Sequence, residues 1–327
     1  MVKERNITMS IINGKKIKLF SLSSNKELAL DIAKNIGVEL SEVEIVRFAD
    51  NEISINIKET VRGHDVFVIQ STSNPANEHL MELLIMCDAL KRASAHTINL
   101  VMPYYGYSRQ DRKTRSRQPI SAKLVADLLQ VAGANRVIAM DLHAAQIQGF
   151  FDIPIDNFPA QPIIVDYFKK FDLNNFIIVS PDHGGTTRAR SLADKLHLPL
   201  AIIDKRRPQP NKAEVMNIIG DISNKNVIII DDMVDTAGTL VAACEALKQA
   251  GALKIYAACT HAVLSGLAPD RIQNSVIEEF VCTNTIYLPD EKKRNKIKQL
   301  NIGVLFGKGI LQIINDCPIS EIFQMYY

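Results

Sequence analysis

Asp231 and Asp232 follow directly on Val227–Ile230, a run of four β-branched residues. Such a run reads as a core strand of a parallel sheet. In open α/β sheets the ends of such strands carry ligands. The next residues, Asp235-Thr236-Ala237-Gly238-Thr239, offer backbone N–H groups, two hydroxyls and the start of a helix near Thr239. All of these suit a phosphate. Asp231 and Asp232 would repel that phosphate and suit sugar hydroxyls or Mg²⁺ instead. The stretch reads as a grip on both ends of a phosphorylated sugar. The plainer alternative is an ordinary strand–turn–helix with a capping Asp or Thr.

Other strand ends carry chemistry of the same kind. The run Ile98–Met102 leads into Arg109–Arg117, where five of nine residues are basic and one is acidic. Arginine forks suit polyphosphate oxygens, so a nucleoside triphosphate fits this loop. A solvated basic loop or a nucleic-acid patch is the alternative. Phe48 could stack on a base, and Asp50 and Glu52 could accept from an exocyclic amine or a ribose hydroxyl. An ordinary turn with a buried Phe describes that string as well. Asp141, His143, Asp152 and Asp156 supply oxygen donors and one imidazole for Mg²⁺ or Mn²⁺; helix-capping carboxylates and a core histidine are the alternatives. In Ser180–Gly185, paired glycines allow close backbone approach, and Asp182 could hold a second metal or the sugar. Lys205, Arg206 and Arg207, followed by prolines, describe a charged loop able to close over phosphates, or simply a solvated one.

The elements that must position these residues alternate. Strands are expected at Ile17–Phe20, Val43–Arg47, Val66–Gln70, Ile98–Met102 and Val137–Met140, then at Phe176–Ser180, Leu200–Ile203, Val227–Ile230, Ile255–Thr260 and Glu279–Thr283. Helices are expected at Asn25–Ile36, Glu78–Ala93, Ala122–Ala132, Thr187–Leu196 and Thr239–Ala250. That rhythm means βαβ units and parallel sheets. The Pro-containing stretch Pro154–Pro162 is the best boundary. The expected division is a flexible lead-in over 1–16, a domain over 17–160 and a second over 161–327. The similar rhythm of the two series suggests an internal duplication. The end of the chain, about Ile302–Asn315, is expected to close back onto the body.

Composition narrows the class. At 327 residues, 47% of them hydrophobic, the chain suits two domains with substantial cores. A formal net charge of +2 gives no global push toward nucleic acid or membrane. Five scattered cysteines without a C-x-x-C pair argue for a reducing compartment. No apolar run approaches the ~20 residues of a membrane span, and no signal-peptide core is visible. A cytoplasmic enzyme is the expectation.

Together the pieces resemble the ribose-phosphate pyrophosphokinase (phosphoribosyl pyrophosphate synthase) family, in its phosphate-regulated bacterial class. The likeness runs from about Ile17 to Phe323. It rests on Arg109–Lys113, Met140–Pro154, Ser180–Gly185 and Asp231–Thr239. It implies an α/β fold of two phosphoribosyltransferase-like domains, each a mainly parallel sheet flanked by helices, and a homohexamer. It implies transfer of the diphosphoryl group of Mg-ATP (Mn²⁺ as the other candidate metal) to the 1-hydroxyl of ribose 5-phosphate, giving AMP and the precursor for nucleotide, His and Trp synthesis. By position the resemblance gives ATP the residues Phe48, Asp50, Glu52, Arg109, Gln110 and His143. It gives metal His143, Asp141, Asp152, Asp156 and Asp182. It gives ribose 5-phosphate the residues Asp231, Asp232, Asp235, Thr236, Ala237, Gly238 and Thr239, and catalysis Lys205 and Arg207. Phosphate and ADP would act as effectors through Thr60, Arg62, Lys113, Arg115, Arg117 and Ser320.

Some positions depart from the family. Pro318 stands where a serine is common, and Gly303–Ile310 carries extra glycines expected to loosen a helix. Weaker or altered phosphate activation is therefore expected. Two other functions compete. A phosphoribosyltransferase would consume the same product through the same turn, yet has no use for Arg109–Arg117 or Asp141–Asp156. A non-catalytic regulatory subunit would carry insertions near Lys205 or altered site residues, and this chain has neither.

Overall fold

A computed structural model describes residues 10–206 and 215–324. The chain divides into two compact units. One ends its first stretch at Phe158 and resumes at Gly303; the other takes in Pro159–Ile302.

The first unit opens with β1 (Ile11–Ile12), β2 (Lys15–Ser21) and α1 (Lys26–Ile36). β1 and β2 form a hairpin across Asn13-Gly14, both with positive φ (49° and 76°). Asn-Gly is the residue pair that a two-residue hairpin turn requires, so the expected flexible lead-in already holds regular structure from Ile11. Residues 1–9 of that lead-in lie outside the described residues. Helix α1 is capped at both ends: Asn25 Oδ1 accepts from the Leu28 N–H at 3.2 Å, and Gly37 closes the end in the left-handed conformation.

β3 (Val43–Arg47) and β4 (Ile53–Ile57) follow, then β5 (Asp65–Ile69), α2 (Ala76–Arg92), β6 (Thr97–Met102), α3 (Ser121–Ala132), β7 (Arg136–Met140) and β8 (Ile155–Phe158). β2, β5, β6, β7 and β8 lie side by side, all parallel and in chain order. The central strands are buried on both faces, and on one of them Val66, Val68, Leu100 and Met102 meet Leu83, Met86 and Leu90 of α2 and Val125 and Leu129 of α3. One expectation fails here. Val43–Arg47 does not join this sheet but pairs antiparallel with β4, Val43 opposite Ile57 and Arg47 opposite Ile53. Its alternation of apolar and polar residues is that of a strand with one covered face.

The second unit contains α4 (Gln161–Phe168), β9 (Phe176–Ser180), α5 (Thr186–Leu196), β10 (Leu200–Arg206), β11 (Val215–Ile219), β12 (Asn226–Val234), α6 (Gly238–Gln249), β13 (Ile255–Ala262), α7 (Ala268–Gln273), β14 (Glu279–Thr283) and β15 (Ile297–Leu300). Its sheet order is β11-β10-β9-β12-β13-β14-β15, parallel except for β11. The chain builds outward from β9 to β10, then crosses to the other side of β9 to place β12. That reversal creates a switch point between β9 and β12, the crevice where open α/β sheets hold ligands. The first unit's parallel strands run in chain order without such a reversal, so the two units differ in strand order.

α8 (Gly303–Ile314) and α9 (Ser320–Gln324) belong to the first unit. The expected assignment of 161–327 to one domain therefore fails at Gly303. α8 packs on α1, and its Phe306 ring lies 5.3 Å from that of Phe158. Gly307 and Gly309 do not loosen this helix. A Cβ at Gly307 would run into Asn35 of α1, and one at Gly309 into the Phe158 ring. The glycines are what let α8 lie this close.

Candidate active site

β9 and β12 run side by side up to Val179 and Ile229. Beyond that level β12 continues through Asp231 and Asp232, which puts both carboxylates at the carboxyl end of the sheet beside the switch point. Asp232 is buried (5% exposed) and Asp231 half-buried. Asp231 Oδ1 accepts the Asp232 N–H at 2.8 Å. Arg188, in the first turn of α5, brings Nη1 to 3.9 Å from Asp231 Oδ1 and 3.8 Å from Asp232 Oδ1. Burial, and next the Asp232 carboxylate, hold the Asp231 carboxyl above the usual carboxylate range. The two acids thus set their carboxylates side by side at the strand end, within reach of Arg188.

β12 runs four residues past the expected Ile230, and the turn and helix follow. Ala237 is left-handed (φ 61°, ψ −2°), and α6 starts at Gly238. The first N–H groups of a helix have no partner within it, and its N-terminal end favours anions. Thr236, Gly238 and Thr239 are exposed, Ala237 is buried and Asp235 half-buried. The loop after β13 braces the turn: Leu264 N–H donates to the Val234 carbonyl at 3.1 Å and Ser265 N–H to the Asp235 carbonyl at 3.0 Å. Arg271 Nη1 donates to the Thr236 carbonyl at 2.8 Å.

Across the switch point, Asp182 Oδ1 accepts the Gly185 N–H at 2.9 Å, and Ser180 Oγ donates to the Asp182 carbonyl at 2.7 Å. One oxygen of this exposed carboxylate is thus already engaged at the start of α5. His183 Nε2 lies 3.0 Å from Asp204 Oδ1 of β10. Lys205 lies within β10, but its side chain, like the whole of Arg207, falls outside the described residues.

In the first unit, Phe48, Asp50 and Glu52 occupy the β3–β4 turn. Phe48 is 55% exposed and so available as a stacking face rather than buried. Phe48 N–H donates to the Glu52 carbonyl at 2.9 Å, and Glu52 N–H to Asp50 Oδ1 at 3.2 Å. Glu52 also lines a cavity of about 430 Å³ with Asn77, Glu78 and Met81 of α2. Arg109 and Gln110 are exposed midway along the loop between β6 and α3. That loop is anchored: Gln110 Oε1 accepts from Ser121 Oγ at 2.5 Å, and Asp111 Oδ2 from Gln146 Nε2 at 2.8 Å.

The expected metal set does not gather. Asp156 is paired with Arg136, Asp152 and His143 are exposed, and Asp141 has a positive φ of 39°. Among the described residues, no group of three or more His, Cys, Asp or Glu side chains is placed to hold a metal ion. Mg²⁺ needs no such cage, since it commonly binds through one or two carboxylates and substrate phosphates. The adjacent carboxylates of Asp231 and Asp232 in the second unit fit an ion of that kind. Of the expected effector residues, Thr60, Arg62, Lys113, Arg115, Arg117 and Ser320 are all exposed, and Arg62 donates to Ser94 Oγ at 3.1 Å. Sequence reasoning missed Arg188 and Arg271. Arg188 stands three residues past Gly185, close enough to a strand end to have been suspected, whereas Arg271 lies 35 residues beyond its partner Thr236.

Comparison with known proteins shows the family. The family profile described as N-terminal domain of ribose phosphate pyrophosphokinase matches residues 17–133. The profile described as phosphoribosyl synthetase-associated domain matches residues 206–324. The ribose-phosphate pyrophosphokinase of Bacillus cereus is 61% identical over 308 residues, covering 94% of this chain and 97% of its own. That of Bacillus subtilis is 60% identical over 310 residues, covering 95% and 98%. The crystal structure of phosphoribosylpyrophosphate synthetase from Mycobacterium smegmatis superposes with a TM-score of 0.88 at 41% identity, covering 92% of this chain and 100% of that one. On these matches the chain belongs to the ribose-phosphate pyrophosphokinase family.

Proposed function

We propose that this protein transfers the diphosphoryl group of ATP to the 1-hydroxyl of ribose 5-phosphate, forming phosphoribosyl pyrophosphate and AMP. The observation that carries the reading is the Asp231–Asp232 pair placed directly before the Asp235–Thr239 turn. The turn takes the 5-phosphate through N–H groups and hydroxyls. The carboxylates take the ribose hydroxyls and leave the 1-hydroxyl to react. Its oxygen attacks the β-phosphorus of ATP, the bond from that phosphorus to the α,β-bridging oxygen breaks, and AMP departs. Charge builds on phosphate oxygens, so catalysis is positioning and electrostatic stabilisation rather than covalent chemistry.

Phe48 stacks on the adenine, Asp50 and Glu52 accept from the nucleoside, and Arg109, Gln110 and His143 receive the triphosphate. Lys205 and Arg207 act on the transition state. Mg²⁺, which Asp231, Asp232, Asp141, His143 and Asp182 are the candidates to hold, neutralises phosphate charge when bound. Family likeness supports a homohexamer regulated by phosphate and ADP, with activation weakened by Pro318, and a cytoplasmic location. Among the described residues no helix is long and apolar enough to cross a membrane.

The test is formation of AMP and phosphoribosyl pyrophosphate from ATP and ribose 5-phosphate, with and without phosphate and ADP, on protein of measured mass. Consumption of phosphoribosyl pyrophosphate with a nucleobase, and no AMP from ATP, would instead make it a phosphoribosyltransferase.

A further inference from the structure

Two consecutive peptide units of the anion turn are held by their carbonyls. The Asp235 carbonyl accepts from the Ser265 N–H at 3.0 Å, and the Thr236 carbonyl accepts from Arg271 Nη1 at 2.8 Å. Both donors come from the segment between β13 and the end of α7. In a planar trans peptide the C=O and the following N–H point in opposite directions. Anchoring these carbonyls therefore turns the N–H groups of Thr236 and Ala237 away from the Ser265–Arg271 segment. Ala237 is left-handed, the conformation that lets successive N–H groups converge into an anion nest.

The two anchors differ in kind. Ser265 acts through its backbone, so any residue there except proline supplies the same donor. Arg271 acts through its side chain and is exposed, on a helix of six residues. Its neighbour Asp270 does not compete for it, being paired with Arg294 Nε at 2.8 Å. Nothing in core packing requires a guanidinium at this place.

We infer that Arg271 is a positioning residue for the sugar phosphate: it fixes the Thr236–Ala237 peptide so that its N–H faces the 5-phosphate. It touches neither substrate in this role, and its positive charge adds to the field at the turn from behind. The inference rests on the proposed assignment of the turn to ribose 5-phosphate.

Steady-state kinetics of wild type, Arg271→Met and Arg271→Lys test it, with ATP and ribose 5-phosphate varied separately and thermal unfolding recorded for each. Met keeps the length of the side chain and removes every donor. The KM for ribose 5-phosphate should rise about tenfold in Arg271→Met, the size of one charge-assisted hydrogen bond, with KM for ATP and the unfolding temperature near wild type. Arg271→Lys should recover part of the loss. An unchanged ribose 5-phosphate KM in Arg271→Met overturns the inference, as does a fall in kcat with both KM values unmoved. Absence of AMP formation by the wild-type protein would overturn the proposed function, and this inference with it.

Discussion

Arg47 Nη2 lies 3.0 Å from Oε1 of Glu82, a residue of α2 with no exposed surface. The same nitrogen is 2.9 Å from Glu78 Oε2. The other oxygen of Glu82 accepts from Ser23 Oγ at 2.5 Å and from Gln70 Nε2 at 2.8 Å. Arg47 is the last residue of β3, so this buried acid ties the Phe48–Glu52 turn to the body of the first unit.

Removing Arg47 takes the cation from a buried carboxylate that Ser23 and Gln70 still hydrogen-bond. Arg47→Ala should cost about 3 kcal/mol and raise the KM for ATP more than that for ribose 5-phosphate. Chemical denaturation and substrate titration would read both. Loss of stability with both KM values unaltered would separate the pair from nucleotide binding.

Asp231 should show itself in the pH dependence of stability. Its folded carboxyl titrates above the usual range, because of burial and then Asp232. The unfolded chain releases this proton at about pH 4. Below that the group has no effect. As pH rises toward the folded value, the folded state keeps a proton that the unfolded state has lost, and the group becomes progressively destabilising. Asp231→Asn should therefore raise the unfolding temperature of the ligand-free protein more at about pH 8 than at about pH 4. Equal shifts at both pH values would contradict the raised carboxyl.

Lys205→Ala and Arg207→Ala should each lower kcat by roughly two to four orders of magnitude with modest changes in KM. Loss confined to KM would place these cations in ground-state binding. A variant with near-normal kcat would remove them from the reaction.

Gly309→Ala should destabilise by about 1–3 kcal/mol, since the added methyl meets the Phe158 ring. Gly309→Ala combined with Phe158→Leu should recover part of that loss. A stabilised Gly309→Ala, as helix propensity alone would give, would show that α8 can move off the ring.

Much of the frame was legible because local signals agreed with the final packing. Asn25 and Gly37 mark both ends of α1, and the runs Val227–Ile230 and Phe176–Ser180 are apolar enough to be central strands. The β3–β4 pair is less legible: Val43–Arg47 reads as one more strand of the parallel series, and only the alternation of Ile-Ser-Ile-Asn-Ile over Ile53–Ile57 marks its antiparallel partner. β8 (Ile-Asp-Asn-Phe) and β15 (Ile-Lys-Gln-Leu) are short edge strands with too few apolar residues to stand out. Pro162 falls in the first turn of α4, where proline is well suited, and the two units divide at Phe158–Pro159, within the stretch Pro154–Pro162. The acid pair and the turn at the candidate site were readable from adjacent residues. The arginines that govern them were not, because Arg188 and Arg271 reach their partners only through tertiary structure.

The first unit is interrupted between Phe158 and Gly303, and this sets the order in which the chain can be completed on the ribosome. When Phe158 has emerged, α1 still lacks the helix that covers it, and the ring of Phe158 lacks Phe306. The whole of Pro159–Ile302 must be synthesised before α8 arrives. The half of the protein made first is thus the half finished last, and a fragment ending near residue 160 would expose the apolar seam that Leu305, Phe306 and Ile310 bury in the full chain.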